Sequence, residues 1–230
     1  MQLPPLIEGR LIKRYKRFLA DVELADGNIV TAHCPNSGSM KGCAVPGGTV
    51  WLSRSDNPGR KLPYTWELAE VDDWLIGLNT GLPNKLVHEA ITDGTVSELQ
   101  GYSKIRPEVP YGDHSRIDLL LDGAPGRCYV EVKNVTLVEE GRALFPDAVT
   151  VRGQKHLNEL MRVVREGCRG VIFFTVQRGD GCSVSPADRI DPEYSRLLRL
   201  ALANGVEALA YRAHIDKEQI RLTERLPVIT

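Results

Sequence analysis

The chain has 230 residues, room for one large or two small domains at roughly 150 residues each, and long enough to bury a core. Hydrophobic residues make up 42% and charged residues 26%, which excludes wholesale disorder and fibrous repeats. With 29 Lys+Arg against 30 Asp+Glu the formal charge is −1, so a nucleic-acid or membrane partner has to be met by local features.

Residues 1–9 carry neither a basic leader nor an apolar one, and the most apolar run, 171–176, is far too short to span a bilayer. A cytoplasmic protein with no membrane partner is expected. The five cysteines are odd in number and form no CxxC pair, which favours free thiols over disulfides or a zinc cage.

The first third reads as short strands broken by turn residues. Strands are predicted over 11–24 and 29–34, with Asp26-Gly27 as the hairpin turn between them, and then over 49–53, 64–71 and 74–78. Five or so short strands in this span predict a small β-barrel of the OB type. Near residue 82 the texture changes to helices alternating with strands. Residues 1–82 are therefore taken as the barrel and 83–230 as an α/β domain. In the second part a helix is predicted over 84–92, a β-hairpin from 115–121 and 127–133, and a helix over 152–166. A buried strand over 171–176, a helix over 192–203 and a strand over 206–212 complete it.

The hairpin is the most informative stretch. Alternation puts Glu131 and Lys133 on one face of the second strand. If the turn is centred between Ala124 and Pro125, Asp118 stands opposite Glu131. Directly opposed residues have Cβ atoms roughly 4.5–5.5 Å apart and like charges there repel, so something positive must resolve the pair. A hard cation, Mg²⁺ (or Mn²⁺), held by two carboxylates plus waters and phosphate oxygens would do so, and Lys133 could orient water or neutralise charge developing at phosphorus. The plainer reading is a half-exposed sheet face on which Lys133 pairs with the acids. Two further features bear on the choice. Glu89, in the short preceding helix, could bring a third acid to the sheet. Gln154, in the first turn of the next helix, lies on the sheet-facing side with Leu157 and Met161. The start of that helix also offers backbone N–H groups to a phosphate, with Arg152, Lys155 and His156 beside it.

The order helix with Glu89, strand with Asp118, strand with Glu131-Val132-Lys133, helix with Gln154 and Lys155 resembles the PD-(D/E)XK nuclease superfamily over residues 84–176. A resemblance from end to end is carried by four stretches. They are KRYKRFLAD at 13–21, HCPNSGSM at 33–40, SRID at 115–118, and FPDAVT at 145–150 running into RGQKH at 152–156. These look like the bacterial sugar fermentation stimulation protein A family. That resemblance implies DNA binding, an OB-like first domain, and a nuclease-like second domain with a central mixed sheet. Asp118, Glu131 and Lys133 would be its metal and catalytic positions, with Glu89 as the helix acid. Ile117 stands where the superfamily often has proline.

Phosphate-loop and dinucleotide-binding glycine patterns are absent, as are the serine-hydrolase elbow and the SxxK pair. The local basic feature is Arg10, Lys13, Arg14, Lys16 and Arg17, five positive charges in eight residues without an acid. Interleaved with Tyr15 and Phe18, they suit a surface that tracks a nucleic-acid backbone and stacks bases, or else a lysine-protected edge strand. The readings that result are a DNA-binding, metal-dependent phosphodiesterase, a non-catalytic DNA-binding regulator of sugar-utilisation genes on the same fold, and an RNA-processing enzyme. Strand preference, duplex or single-stranded, stays open, as does oligomeric state, a homodimer included.

Overall fold

The computed structural model describes residues 1–111 and 115–230. Six strands, β1 (Leu6–Tyr15), β2 (Leu19–Leu24), β3 (Ile29–His33), β4 (Thr49–Arg54), β5 (Tyr64–Val71) and β6 (Trp74–Gly77), form one sheet in the order β3-β2-β1-β4-β5-β6. A parallel pairing of β3 with β5 closes the first five into a barrel, the expected OB-like domain. Alternation turns Leu11, Ala20, Val22, Leu52 and Trp66 inward as its core.

One expectation here is corrected. Residues 11–24 are not one strand but two, reversed at Lys16 and Arg17, whose φ values are +48° and +64°. Consecutive positive φ values, as in the primed hairpin turns, match the twist of the flanking strands, here within a three-residue connection, 16–18. No Asn-Gly or Asp-Gly marks the turn, and the basic run hid it.

The second domain runs α1 (Pro83–Thr92), β7 (Tyr102–Tyr111), β8 (Ser115–Gly123), β9 (Gly126–Val135), β10 (Leu137–Glu139) and β11 (Arg142–Phe145). It continues with α2 (Val151–Arg165), β12 (Arg169–Val176), β13 (Ser183–Pro186), α3 (Pro192–Ala203), β14 (Glu207–Ile215) and β15 (Ile220–Arg225). Its main sheet has the order β15-β14-β12-β9-β8-β7, with β9, β12 and β14 mutually parallel and the remaining pairs antiparallel. Strands β10, β11 and β13 form a small second sheet. α1 packs one face of the main sheet through Leu86, Val87 and Ile91. α2 and α3 pack the other through Leu157, Leu160 and Leu198. Covered on both faces, β12 is a continuous apolar run. β7 escaped the sequence reading because Pro107 and Pro110 interrupt it, which an edge strand tolerates.

The two domains meet along a polar seam. Gly77 donates its N–H to the Gln177 carbonyl at 3.1 Å, and the Gln177 side-chain amide lies so close that a Cβ at residue 77 would not fit. Lys217 sits 3.8 Å over the Trp51 ring. Asp147 accepts from Ser39 Oγ and the Met40 N–H, both at 3.1 Å. The first residues lie with the second domain: Leu3 donates to the Glu218 carbonyl at 2.7 Å, and Met1 and Leu3 pack against the α1-side core.

Candidate metal and nucleic-acid site

The β8–β9 hairpin has the register read from its turn, with Leu119 opposite Val130 and Leu120 opposite Tyr129. The ladder stops there, one step before Asp118 and Glu131. Past that point β9 continues along β12 as far as Val135, and β8 and β9 part. The freed Val132 N–H donates instead to Asp118 Oδ2 at 2.7 Å. The parted strands leave a cleft of about 220 Å³ lined by Thr80, Asn84, Asp118, Glu131, Lys133, Asn134, Arg152 and His156.

Within it Glu131 is almost fully buried, its side chain 2% exposed. Its Oε1 accepts from Lys133 Nζ at 2.7 Å and meets His156 Nδ1, while its Oε2 has no hydrogen-bond partner among the described residues. His156 Nε2 faces the Arg152 Nε–H at 3.4 Å. With Nε2 facing Arg152, Nδ1 is the ring atom turned to Glu131, and Lys133 Nζ also lies 3.2 Å from it. Asp118 Oδ1 accepts from Asn84 Nδ2 at 2.9 Å, and the same amide reaches Glu108 Oε1 at 3.3 Å. Burial, and after it the charge of Glu131, push the Asp118 carboxyl up to about 6. Burial opposes charge on Glu131 as well, but Lys133 and His156 outweigh it and hold that carboxyl below its usual range.

This donor set fits a hard divalent cation. Two carboxylates share one cleft, one of them retains a buried oxygen unsatisfied among the described residues, and burial together with the Glu131 charge raises Asp118. Among the described residues no three His, Cys, Asp or Glu side chains converge as a ready metal cage, so waters or phosphate oxygens would have to complete the shell.

Not every expected residue comes to the cleft. Glu89 is half exposed and pairs with the Met1 amino group at 3.1 Å, because its place on α1 turns it away from β8 and β9. Gln154 faces Asp191, donating Nε2 at 2.9 and 3.1 Å. Asp191 also accepts from the Thr150 and Tyr194 N–H groups, so Gln154 belongs to the junction that caps α2 and α3. Arg152 does line the cleft, and Lys155 lies exposed on α2. The sequence missed Asn84, Thr80 and Glu108. Asn84 is one residue past the proline that opens α1, and Glu108 is placed level with Asp118 only by β7, which was not read.

The basic segment divides in two. Arg14 is absorbed by the 36–39 loop, donating to the carbonyls of Asn36 and Gly38 at 2.9 Å. Arg10 donates to the Gly47 carbonyl, Lys13 stands 3.5 Å from Asp21 and over the Tyr15 ring, and the Tyr15 hydroxyl donates to Asp21. Tyr15 is thereby a poor stacking platform. Lys16 and Arg17 are exposed at the hairpin tip beside Phe18, which is 48% exposed. In the 36–41 loop the N–H groups of Gly38, Met40 and Lys41 are bonded to Asn36, Asp147 and Ser39 and so are not free for a phosphate.

An OB barrel joined to an α/β domain with a central mixed sheet defines the class. Residues 12–78 match the family model described as the SfsA N-terminal OB domain, and 81–219 match that described as the sugar fermentation stimulation protein RE domain. The chain belongs to the sugar fermentation stimulation protein (SfsA) family. It is 76% identical over 229 residues to the sugar fermentation stimulation protein homolog of Pelobacter propionicus, and 74% identical over 231 residues to that of Geobacter metallireducens, each alignment covering 100% of both chains. The structure of Pyrococcus furiosus SfsA in complex with Ca²⁺ is similar at 29% identity with a TM-score of 0.92, covering 100% of this chain and 98% of that one. No helix among the described residues is long and apolar enough to cross a membrane.

Proposed function

We propose that this protein is a DNA-binding phosphodiesterase dependent on Mg²⁺ or Mn²⁺. The observation that carries the reading is the buried Glu131 Oε2, without a hydrogen-bond partner among the described residues, in the same cleft as Asp118, with Lys133 alongside. A fully buried carboxylate oxygen without a hydrogen bond is costly unless function uses it. The Ca²⁺ in the structure of the Pyrococcus furiosus relative supports a hard cation here.

In this reading Asp118 and Glu131 hold the cation. Bound there, it would polarise a phosphoryl oxygen and lower the pKa of a coordinated water. Asn84 steadies Asp118 through Oδ1, and His156, itself fixed by Arg152, steadies Glu131 through Oε1. Lys133 places an ammonium beside the reacting phosphate, where it offsets developing negative charge. Lys16 and Arg17 at the barrel tip meet the backbone of the nucleic acid.

The test is to incubate the pure protein with plasmid, single-stranded DNA and RNA across Mg²⁺ and Mn²⁺ concentrations, together with Asp118→Ala and Glu131→Ala. Cleavage should require the metal and fall by at least a hundredfold in either variant while both remain folded. Metal-independent cleavage, or full activity in both variants, would overturn the assignment. DNA binding without cleavage under any metal would instead establish the regulator that keeps the fold.

A further inference from the structure

The cleft does not end at Asn134. Thr80 and Asn134 also line a narrow pinch of about 50 Å³, bounded by Asn36, Thr136, Phe145 and Asp147. Leu144 in turn lines both that pinch and a basin of about 500 Å³. The basin has an apolar floor of Leu144, Pro186, Ala187 and Ile190, and its rim carries Lys41, Arg142 and Arg189.

The rim also carries acids, and most are already neutralised. Glu139 pairs with Lys41 at 3.6 Å, and Asp188 receives both arms of the Arg199 fork at 2.7 and 2.9 Å. Asp147 at the pinch is turned to Ser39 and Met40. Arg142 and Arg189 are exposed and have no ion pair among the described residues, with Glu140 the rim acid left unpaired. An apolar floor with two unpaired guanidinium groups above it suits a sugar and base lying flat with phosphates on the rim.

We propose that the basin is a second nucleic-acid subsite, and that the strand whose phosphate lies at Asp118 and Glu131 continues along the seam to place one later phosphate at Arg142 and another at Arg189. This deepens the nuclease reading and rests on it. The pinch, about 50 Å³, admits no base, so the occupant is a single strand whose backbone crosses over the pinch with its bases on either side. β11, whose residues run from the pinch (Phe145) to the basin (Arg142), has four residues, about 10 Å at roughly 3.3 Å each. That is room for about three nucleotides at roughly 3.4 Å per stacked base.

The test uses fluorescence anisotropy with labelled single-stranded oligonucleotides, long and short, across a salt series. It compares the full-length protein with an Arg142→Ala/Arg189→Ala double variant and its Arg142→Lys/Arg189→Lys counterpart. The alanine variant should flatten the slope of log K against log salt by about 1.4 for the long oligonucleotide, two phosphates at roughly 0.7 each. It should leave the short oligonucleotide unaffected, and the lysine variant should restore most of the slope. An unchanged slope in the alanine variant, or an equal loss for the short oligonucleotide, overturns the subsite while leaving the nuclease reading standing. If the unaltered protein binds neither oligonucleotide in a salt-dependent way, the nucleic-acid reading itself falls and takes the subsite with it.

Discussion

Asp118 is the residue on which stability and chemistry pull in opposite directions. Its carboxyl is raised from 3.8 to about 6, so in the folded protein it holds its proton to higher pH than in the unfolded chain. The favourable contribution is therefore complete below about pH 4 and is lost as pH rises through 6. At roughly 1.4 kcal/mol per unit the loss amounts to about 3 kcal/mol. Asp118→Asn cannot ionise. In chelator it should melt several degrees above the unaltered protein at pH 7 to 8 and level with it near pH 4. Added Mg²⁺ should narrow the gap, since a cation held by the two acids stabilises the unaltered protein alone. Thermal melts at three pH values, with and without metal, check this, and equal melting temperatures at pH 7 in chelator would refute it.

At the scale of elements, the basic hairpin shows how a charge run acquires a division of labour. Arg14 belongs to the fold: its guanidinium satisfies loop carbonyls at 2.9 Å, and Arg14→Ala should cost about 1–3 kcal/mol of stability by orphaning them. Lys16 and Arg17 belong to the surface, and both hold positive φ. Glycine accepts that conformation without strain, so Lys16→Gly/Arg17→Gly removes two charges without disturbing the turn. The slope of log K against log salt for duplex DNA should flatten by up to about 1.8, two phosphates at roughly 0.9 each, with melting unchanged. An unaltered slope would leave the tip as a protected barrel edge. The register of the β8–β9 hairpin was legible because its turn is marked by Gly and Pro residues. The parting of β8 and β9 after Leu119 was not legible, because it depends on β12 holding β9 from the other side.

At the scale of the molecule, the seam decides whether barrel and cleft act together. Asp147 reaches from the second domain to Ser39 Oγ and the Met40 N–H, and the adjoining carbonyls of Asn36 and Gly38 are held by Arg14 below the basic tip. The tip is thus tied to Asp147, just before α2 of the second domain, through a run of hydrogen bonds. Asp147→Ala removes the acceptor, and the orphaned Met40 N–H should lower stability by about 1–3 kcal/mol. Scanning calorimetry should then show a broadened transition, with calorimetric enthalpy exceeding the van't Hoff value as the domains begin to melt separately. Asp147→Asn keeps an acceptor and should retain most of the cooperativity. A sharp transition at the original temperature in the alanine variant would show that the remaining seam contacts suffice.

What the sequence by itself determined follows from local physics. Alternation, turn residues and helical spacing located the barrel strands apart from the first half of β1 and the 16–17 reversal, the three helices, β8, β9 and β12, and the hairpin register that brings Asp118 near Glu131-x-Lys133. Each depends on residues near one another in the chain. What only the tertiary structure decided depends on where distant segments arrive. Glu89 went to the Met1 amino group rather than the cleft, and Gln154 to Asp191 on the next helix, because α1 and α2 rotate to bury their apolar stripes. Asn84 and His156 took places beside the acids, and Arg14 was drawn into a loop more than twenty residues away. A helical wheel gives a side chain's direction relative to its own stripe. The partner it meets is set by the packing of whole elements, which burial drives and no local pattern encodes.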